Sequence, residues 1–238
     1  MAVKTERIII PREDNKKIVG ILHFPENTTF PCVITCHGAF SSKDSSKFLE
    51  IARHFSSEGI GVFRFDFHGC GESDGELSNA TLSERVKDLD SVLKKFTVDK
   101  NINNIGLLGS SMGGNIAIIK AAEEKAVKAL VILSTPSNYN DLSSSDRDNP
   151  HLIKKYRDDA SKFDIPTLAE SIDMPILVIH GTNDETVPPH HAKTLFENVK
   201  GEKELLLLEG GDHSILDPNL RYKAISKSLF WFKKFLLQ

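Results

Sequence analysis

Cysteine is scarce: the 238-residue chain has three, Cys32, Cys36 and Cys70. An odd count without a spaced framework excludes a disulfide-stapled scaffold and points to a reducing compartment. Cys32 and Cys36 fall in one strand-like run, where a rise of ~3.3 Å per residue sets them about 13 Å apart, too far for a disulfide. Small, buried, apolar residues are the expected role. Long apolar runs are missing too. None approaches the ~20 residues that cross a bilayer, and Met1 to Arg7 lacks the apolar core of a secretory signal. The reading is a cytoplasmic protein with no membrane partner. There is no basic excess: 30 Lys and Arg stand against 33 Asp and Glu, a formal net charge of −3. A nucleic-acid partner, which needs a basic face, is therefore not expected. No linker and no internal repeat divides the chain, and a chain this long buries ~70% of its unfolded surface without staples.

Strand-like and helix-like segments alternate along the chain. Arg7 to Pro11 and Ile18 to Phe24 read as an opening antiparallel hairpin. Strands are expected at Cys32 to Cys36, Ile60 to Phe65, Ile105 to Gly109, Lys128 to Ser134, Pro175 to His180 and Lys203 to Glu209. Helices are expected at Ser46 to Ser57, Thr81 to Phe96, Met112 to Lys125, about Pro189 to Val199 and about Asn219 to Leu236. Thr81 to Glu84 has the form of a capping box. Near-continuous apolar runs such as Ile176 to Ile179 suit strands buried on both faces. The fold class is α/β: a mostly parallel central sheet with helices on both faces. The whole chain, 1–238, reads as one domain with a short cap insertion at about 135–174.

Gly109-Ser110-Ser111-Met112-Gly113 matches the G-x-S-x-G nucleophile elbow, with a strand entering it and a helix leaving it. The turn is tight, so side chains at 109 or 113 would clash, and the Ser111 hydroxyl is lifted above the strand end. Asp184, just past the strand ending at His180, can orient a base; Glu185 is a rival acid. His213, in the Gly-flanked loop Gly210 to Ser214, is the candidate base, with His190 and His191 as alternatives. The chain order Ser111, Asp184, His213 is that of a Ser-acid-His set. In such an architecture the loop after the strand ending at Cys36 and the residue after the nucleophile donate the oxyanion-binding N–H groups. That nominates Ala39 and Met112. His37 reads as a loop-bracing hydrogen bonder. Asp66, in Asp66 to Ser73, also ends a strand; it reads as a brace for the His37 loop and the glycine turn. Cys70 has no adjacent base to make it a nucleophile.

These motifs, His37-Gly38, Asp66 to Ser73, Gly109 to Gly113, Gly181 to Pro188 and Asp212-His213, together resemble the α/β-hydrolase superfamily over nearly the whole chain. Within it the chain resembles bacterial cinnamoyl (feruloyl) esterase-like enzymes, with monoacylglycerol-lipase-like and serine-aminopeptidase-like enzymes as near relatives. The resemblance implies a carboxylic ester hydrolase acting through an acyl-enzyme, without metal or organic cofactor. It places a substrate-shaping cap at Thr135 to Met174. That stretch is polar, with one amphipathic helix expected: Asn149 as N-cap, Pro150 at its first position, and Leu152, Ile153, Tyr156, Ala160 and Phe163 on one side. Phe40, Tyr139 and Tyr156 are the candidate substrate-binding residues. The partner expected is a small-molecule ester with a short-chain or aromatic acyl group, and the sequence leaves room for a homodimer. Thioesterase or small-peptide hydrolase activity from the same three residues remains open. So does a catalytically silent ligand-binding form of the fold.

Overall fold

The structure is a computed structural model and describes residues 4–140, 142 and 150–237, with the side chains of 150–153 left aside. β1 (Thr5–Pro11) and β2 (Lys17–His23) form an antiparallel hairpin in which Pro11 faces Lys17. β2 also pairs antiparallel with β4 (Gly61–Phe65). From there the sheet is parallel, through β3 (Phe30–Cys36), β5 (Ile102–Ser110), β6 (Val127–Leu133), β7 (Ile176–Gly181) and β8 (Lys203–Leu208). The spatial order of the eight strands is β1-β2-β4-β3-β5-β6-β7-β8. The chain runs outward from β3 to β4, then crosses back to lay β5 on the other side of β3. That reversal opens a crevice at the carboxyl ends of β3 and β5, the place where doubly covered sheets bind ligands.

Every residue of β3, β4 and β7 is buried, as their continuous apolar runs require. Two apolar cores cover the two faces. One holds Ile34, Phe63, Phe65, Leu107, Leu130 and Val178 under α2 (Leu82–Thr97) and α3 (Met112–Glu123), with α6 (His190–Asn198) alongside. The other holds Val33, Leu108, Val131 and Ile179 under α1 (Ser46–Ser57) and α7 (Pro218–Leu236). Thr81 caps α2 by accepting the Glu84 N–H at 3.4 Å, but the expected capping box is only half formed: the Thr81 N–H bonds the Asn79 carbonyl and the Glu84 carboxylate turns to Arg12 and Lys87. All three cysteines are free and buried.

Two further expectations need correction. β5 starts at Ile102, three residues before the apolar run, because Ile102 pairs with Phe30 across a register shift. Among the described residues, the stretch expected to form the cap holds two helices rather than one: α4 (Pro150–Ala160) and the six-residue α5 (Ile165–Glu170). Asp164 caps α5 through the Thr167 N–H at 3.2 Å, and Pro166 sits in its first turn. Six residues are too few to display a helical period. The proposed N-cap Asn149 and the side chains of Leu152 and Ile153 lie outside the described residues.

Phe232 of α7 is fully buried, and its ring meets Phe55 of α1 edge-on at 5.9 Å. Truncating a buried phenylalanine loses transfer energy and leaves a cavity. Phe232→Ala is expected to lower the unfolding free energy by about 3–5 kcal/mol. Urea unfolding measures it; a loss under about 1 kcal/mol would show that α7 does not anchor the second core.

Candidate active site

β5 delivers its last residue, Ser110, to the sheet edge, and Ser111 makes the turn into α3 with φ 56° and ψ −127°. This is left-handed backbone that a serine rarely adopts. Two glycines make the turn feasible. A Cβ at Gly109 would lie 2.4 Å from the Gly113 carbonyl oxygen, and one at Gly113 would lie 2.0 Å from the Cys36 carbonyl oxygen. The Ser111 N–H donates to the Leu133 carbonyl at 2.8 Å, pinning the turn to the end of β6.

The Ser111 hydroxyl lies 3.1 Å from His213 Nε2, and His213 Nδ1 lies 2.8 Å from Asp184 Oδ2. Asp184 has no side-chain exposure, whereas His213 keeps a quarter of its side-chain surface. Burial pushes the Asp184 carboxyl up. Hydrogen bonds from His180 and His213 and from the Val187 N–H outweigh it and hold the group well below the usual carboxylate range. The Val187 and Thr186 N–H groups donate to Oδ1 at 2.8 and 3.0 Å. Asp184 is therefore an ionised acceptor, so His213 Nδ1 is the donor and Nε2 is left to accept from the serine.

The structure thus brings Ser111, His213 and Asp184 into one hydrogen-bonded row. Glu185 is exposed beside Asp184. His191 is buried with Nδ1 at 2.8 Å from Ser137 Oγ, and His190 is an exposed residue at the start of α6. Asp66 sits at the end of β4 with other partners: the Lys43 N–H at 2.8 Å, the Lys43 ammonium at 2.9 Å and the Glu72 N–H at 3.0 Å. It ties the loop after β3 to the glycine turn. His37 is buried; Nε2 accepts the Phe67 N–H at 3.0 Å and Nδ1 donates to the Gly38 carbonyl at 2.8 Å. Burial, helped by the nearby charge of Arg85, pulls its pKa down to about 4, so it stays neutral.

Gly38 is pressed against the serine: a Cβ there would sit 3.4 Å from Ser111 Cβ. Ala39 is the next residue along the chain from this contact with Ser111. Met112, at the first position of α3, has an N–H with no earlier helical carbonyl to bond. Phe40 is 70% exposed and meets Tyr156 edge-on at 6.3 Å. Tyr156 itself is buried and donates to the Leu77 carbonyl at 2.9 Å. Tyr139 donates to Asn115 Oδ1 at 2.6 Å, one turn along α3 from Ser111. It also lines a cleft of about 390 Å³ with Phe163, Ile165 and Arg157. A second cleft, about 370 Å³ between Thr81 and Lys154 to Lys162, has no contact with the serine row. Among the described residues no group of three or more His, Cys, Asp or Glu could hold a metal ion.

Sequence reasoning missed three neighbours of the site. His180 is fully buried, with Nε2 at 2.8 Å from the Val187 carbonyl and 3.3 Å from Asp184 Oδ2. Its signal is a histidine closing an otherwise apolar strand. Lys47 donates to Ser110 Oγ at 2.8 Å. Arg85 is fully buried beneath Gly38 and Ala39. Its signal is its register, three residues after Leu82 and four before Leu89, inside the apolar stripe of α2.

The family described as "Serine aminopeptidase, S33" matches residues 28–157 and 155–218 of this chain. The protein "Uncharacterized protein YfhR" of Salmonella typhi is 26% identical over 201 residues, covering 79% of this chain and 66% of its own. The chain thus spans just under two thirds of that relative's length. "Palmitoyl-protein thioesterase ABHD10, mitochondrial" of Bos taurus is 25% identical over 208 residues, covering 77% of this chain and 67% of its own. Among solved structures, Est1E from Butyrivibrio proteoclasticus with ferulic acid bound superposes with a TM-score of 0.80 at 19% identity, covering 94% of this chain and 99% of the other. At that identity the likeness is one of fold, and the fold is the α/β-hydrolase fold.

The two strand-end aspartates should separate cleanly. Asp66→Asn removes the fully buried charge that accepts from the Lys43 ammonium and from the Lys43 and Glu72 N–H groups, leaving the ammonium to Asp44 and Glu72, and is expected to cost about 3 kcal/mol of stability. Asp184→Asn is expected to lower turnover about 10⁴-fold with a smaller change in melting temperature. Turnover and Tm of both variants check this, and the reverse pattern would make Asp66 the acid. Acid sensitivity follows from the Asp184 carboxyl. Its folded value lies below its unfolded one, so below about pH 4 the unfolded chain binds more protons and stability falls with pH. The wild-type Tm is expected to drop more steeply below about pH 4 than that of Asp184→Asn. Parallel Tm curves for the two proteins would contradict that assignment.

Proposed function

Because the chain belongs to the serine aminopeptidase, S33, family of α/β-hydrolases, we propose that it is a serine esterase cleaving carboxylic esters through an acyl-enzyme. The observation that carries this reading is the row Ser111 Oγ to His213 Nε2 at 3.1 Å and His213 Nδ1 to Asp184 Oδ2 at 2.8 Å. His213 takes the Ser111 proton as the serine oxygen attacks the ester carbonyl. The N–H groups of Ala39 and Met112 receive the negative charge on the carbonyl oxygen. Collapse expels the alcohol, which takes the proton from His213 and leaves the acyl group on Ser111. Water, deprotonated by His213, attacks that ester, and the acid departs as Ser111 regains its proton. Each step closes within these residues and water.

The acyl group is short or aromatic in this reading. The segment from Pro136 to Asp173 contains 13 charged residues, which suits a small capped pocket better than an apolar lid for a lipid surface. Among the described residues no helix is long and apolar enough to cross a membrane. In this reading Phe40 is the exposed ring that an aromatic acyl group would meet, with Tyr156 edge-on to it and Tyr139 hydrogen-bonded to Asn115 one turn from Ser111. The bound ferulic acid of Est1E supports such a group. A thioester is the second reading, favoured by the resemblance to ABHD10, since the same steps release a thiol. We place the reaction in the cytoplasm, with no nucleic-acid partner.

Ser111→Ala is expected to lower kcat about 10⁴- to 10⁶-fold with unchanged circular dichroism; more than a tenth of wild-type turnover would sink the assignment. His213→Ala is expected to lose nearly all turnover while keeping its fold, and full activity in that variant would contradict a histidine base. p-Nitrophenyl butyrate and methyl ferulate should be better substrates than p-nitrophenyl palmitate, with acyl thioesters and aminoacyl amides alongside. Greater efficiency on palmitate emulsions would overturn the short-acyl reading.

A further inference from the structure

A guanidinium keeps its charge inside a protein, so a fully buried arginine must find compensation. Arg85 is fully buried, and among the described residues no carboxylate pairs with it directly; the charge of Asp88 reaches it only across space. One amino group donates to the Gly38 carbonyl at 3.1 Å; the other donates to the Ala39 carbonyl at 2.7 Å and to Cys70 Sγ at 3.3 Å. The group lies over the Phe67 ring at 5.5 Å, and its Nε is buried without a partner. Asp88, one turn along the same helix, is engaged elsewhere, by Arg12 at 2.6 Å and the His68 N–H at 2.6 Å. The buried cation thus ties the loop that follows β3, through its two carbonyls, to Cys70 and Phe67 in the segment that follows β4.

That loop carries the Ala39 N–H. In a trans peptide the C=O and N–H point to opposite sides of the chain. The Gly38 carbonyl is gripped by three donors, His37 Nδ1 at 2.8 Å, Arg85 at 3.1 Å and, at 3.4 Å, the Ser41 N–H. Fixing it fixes the Ala39 N–H of the same peptide plane, which points to the opposite side from the carbonyl. Gly38 itself lies against Ser111. A donor on a peptide oxygen also polarises that peptide and strengthens its N–H as a donor in turn, more so when the donor is charged.

We propose that Arg85 is a positioning residue for the oxyanion hole: its guanidinium aims and polarises the Gly38–Ala39 peptide, so that it favours the tetrahedral transition state over the bound substrate. The inference rests on the serine-esterase reading above. A merely structural anchor would affect stability, or all binding alike. A residue acting through the oxyanion-binding N–H would affect kcat and tetrahedral adducts selectively.

The test uses the full chain with Arg85→Gln, Arg85→Lys and Ser111→Ala. It measures p-nitrophenyl butyrate kinetics, Tm, and inhibition by a trifluoromethyl ketone and by the matching methyl ketone. The first ketone forms a tetrahedral adduct with a serine; the second stays planar. Arg85→Gln is expected to lower kcat about 10- to 100-fold with KM within about twofold. The trifluoromethyl ketone should weaken by the same factor while the methyl ketone does not. Arg85→Lys keeps the charge but spans fewer carbonyls, and should fall between the two; it carries the test alone if Arg85→Gln does not fold. A folded variant with kcat within twofold of wild type, or equal weakening of both ketones, would overturn the role of Arg85 while inactive Ser111→Ala leaves the esterase reading standing. Activity in Ser111→Ala would instead remove the reading on which the inference rests.

Discussion

The site depends on a strand-to-helix turn too tight for side chains. Ser111 holds a positive φ of 56° because β5 must end and α3 must begin within one residue. The space for that turn exists only because Gly109 and Gly113 bring backbone within about van der Waals contact of β3 and α3. The same contact sets the loop after Cys36 against the serine. Strain at one residue, in the range of about 1–3 kcal/mol, is held by sheet pairing on both sides and by the bond to Leu133. The position of the hydroxyl thus follows from backbone packing rather than from its own contacts, and a small shift of β3 or α3 would move it.

Two aspartates occupy equivalent places at the ends of β4 and β7, and their surroundings assign them different work. Asp66 is enclosed by a lysine and backbone N–H groups, so its lone pairs are spent within the loops. Asp184 gives one oxygen to backbone N–H groups and turns the other toward His213. His180 approaches that same oxygen and keeps the carboxylate in place from the strand side. A buried carboxylate so satisfied cannot take up a proton at neutral pH, so it stays an acceptor for His213 Nδ1.

Much of this was legible in the sequence because the constraints are local. The glycines around Ser111, the all-apolar strands and the Thr81 cap each act within a few residues. Helix α1 runs from Ser46 to Ser57 as its periodicity predicts. What was not legible depends on partners distant in sequence. The start of β5 is set by Phe30, and the cap's second helix is too short to show a period. Arg85 stood in plain view in the apolar stripe of α2, yet its partners lie 46 and 47 residues earlier, at Ala39 and Gly38. Asp88 shares that stripe and is likewise buried, against Arg12. A charged residue in a buried register is a sequence signal, but only the fold names what it holds.

The central claim is that Ser111 is the nucleophile made reactive by His213 and Asp184. Its most direct test is covalent labelling of the whole chain with a fluorophosphonate, followed by peptide mapping by mass spectrometry. The account predicts a single adduct on Ser111, formed quickly in the wild type and far more slowly in His213→Ala. An adduct on Ser110, Ser137 or Cys70 instead, or no adduct on folded protein, would contradict it.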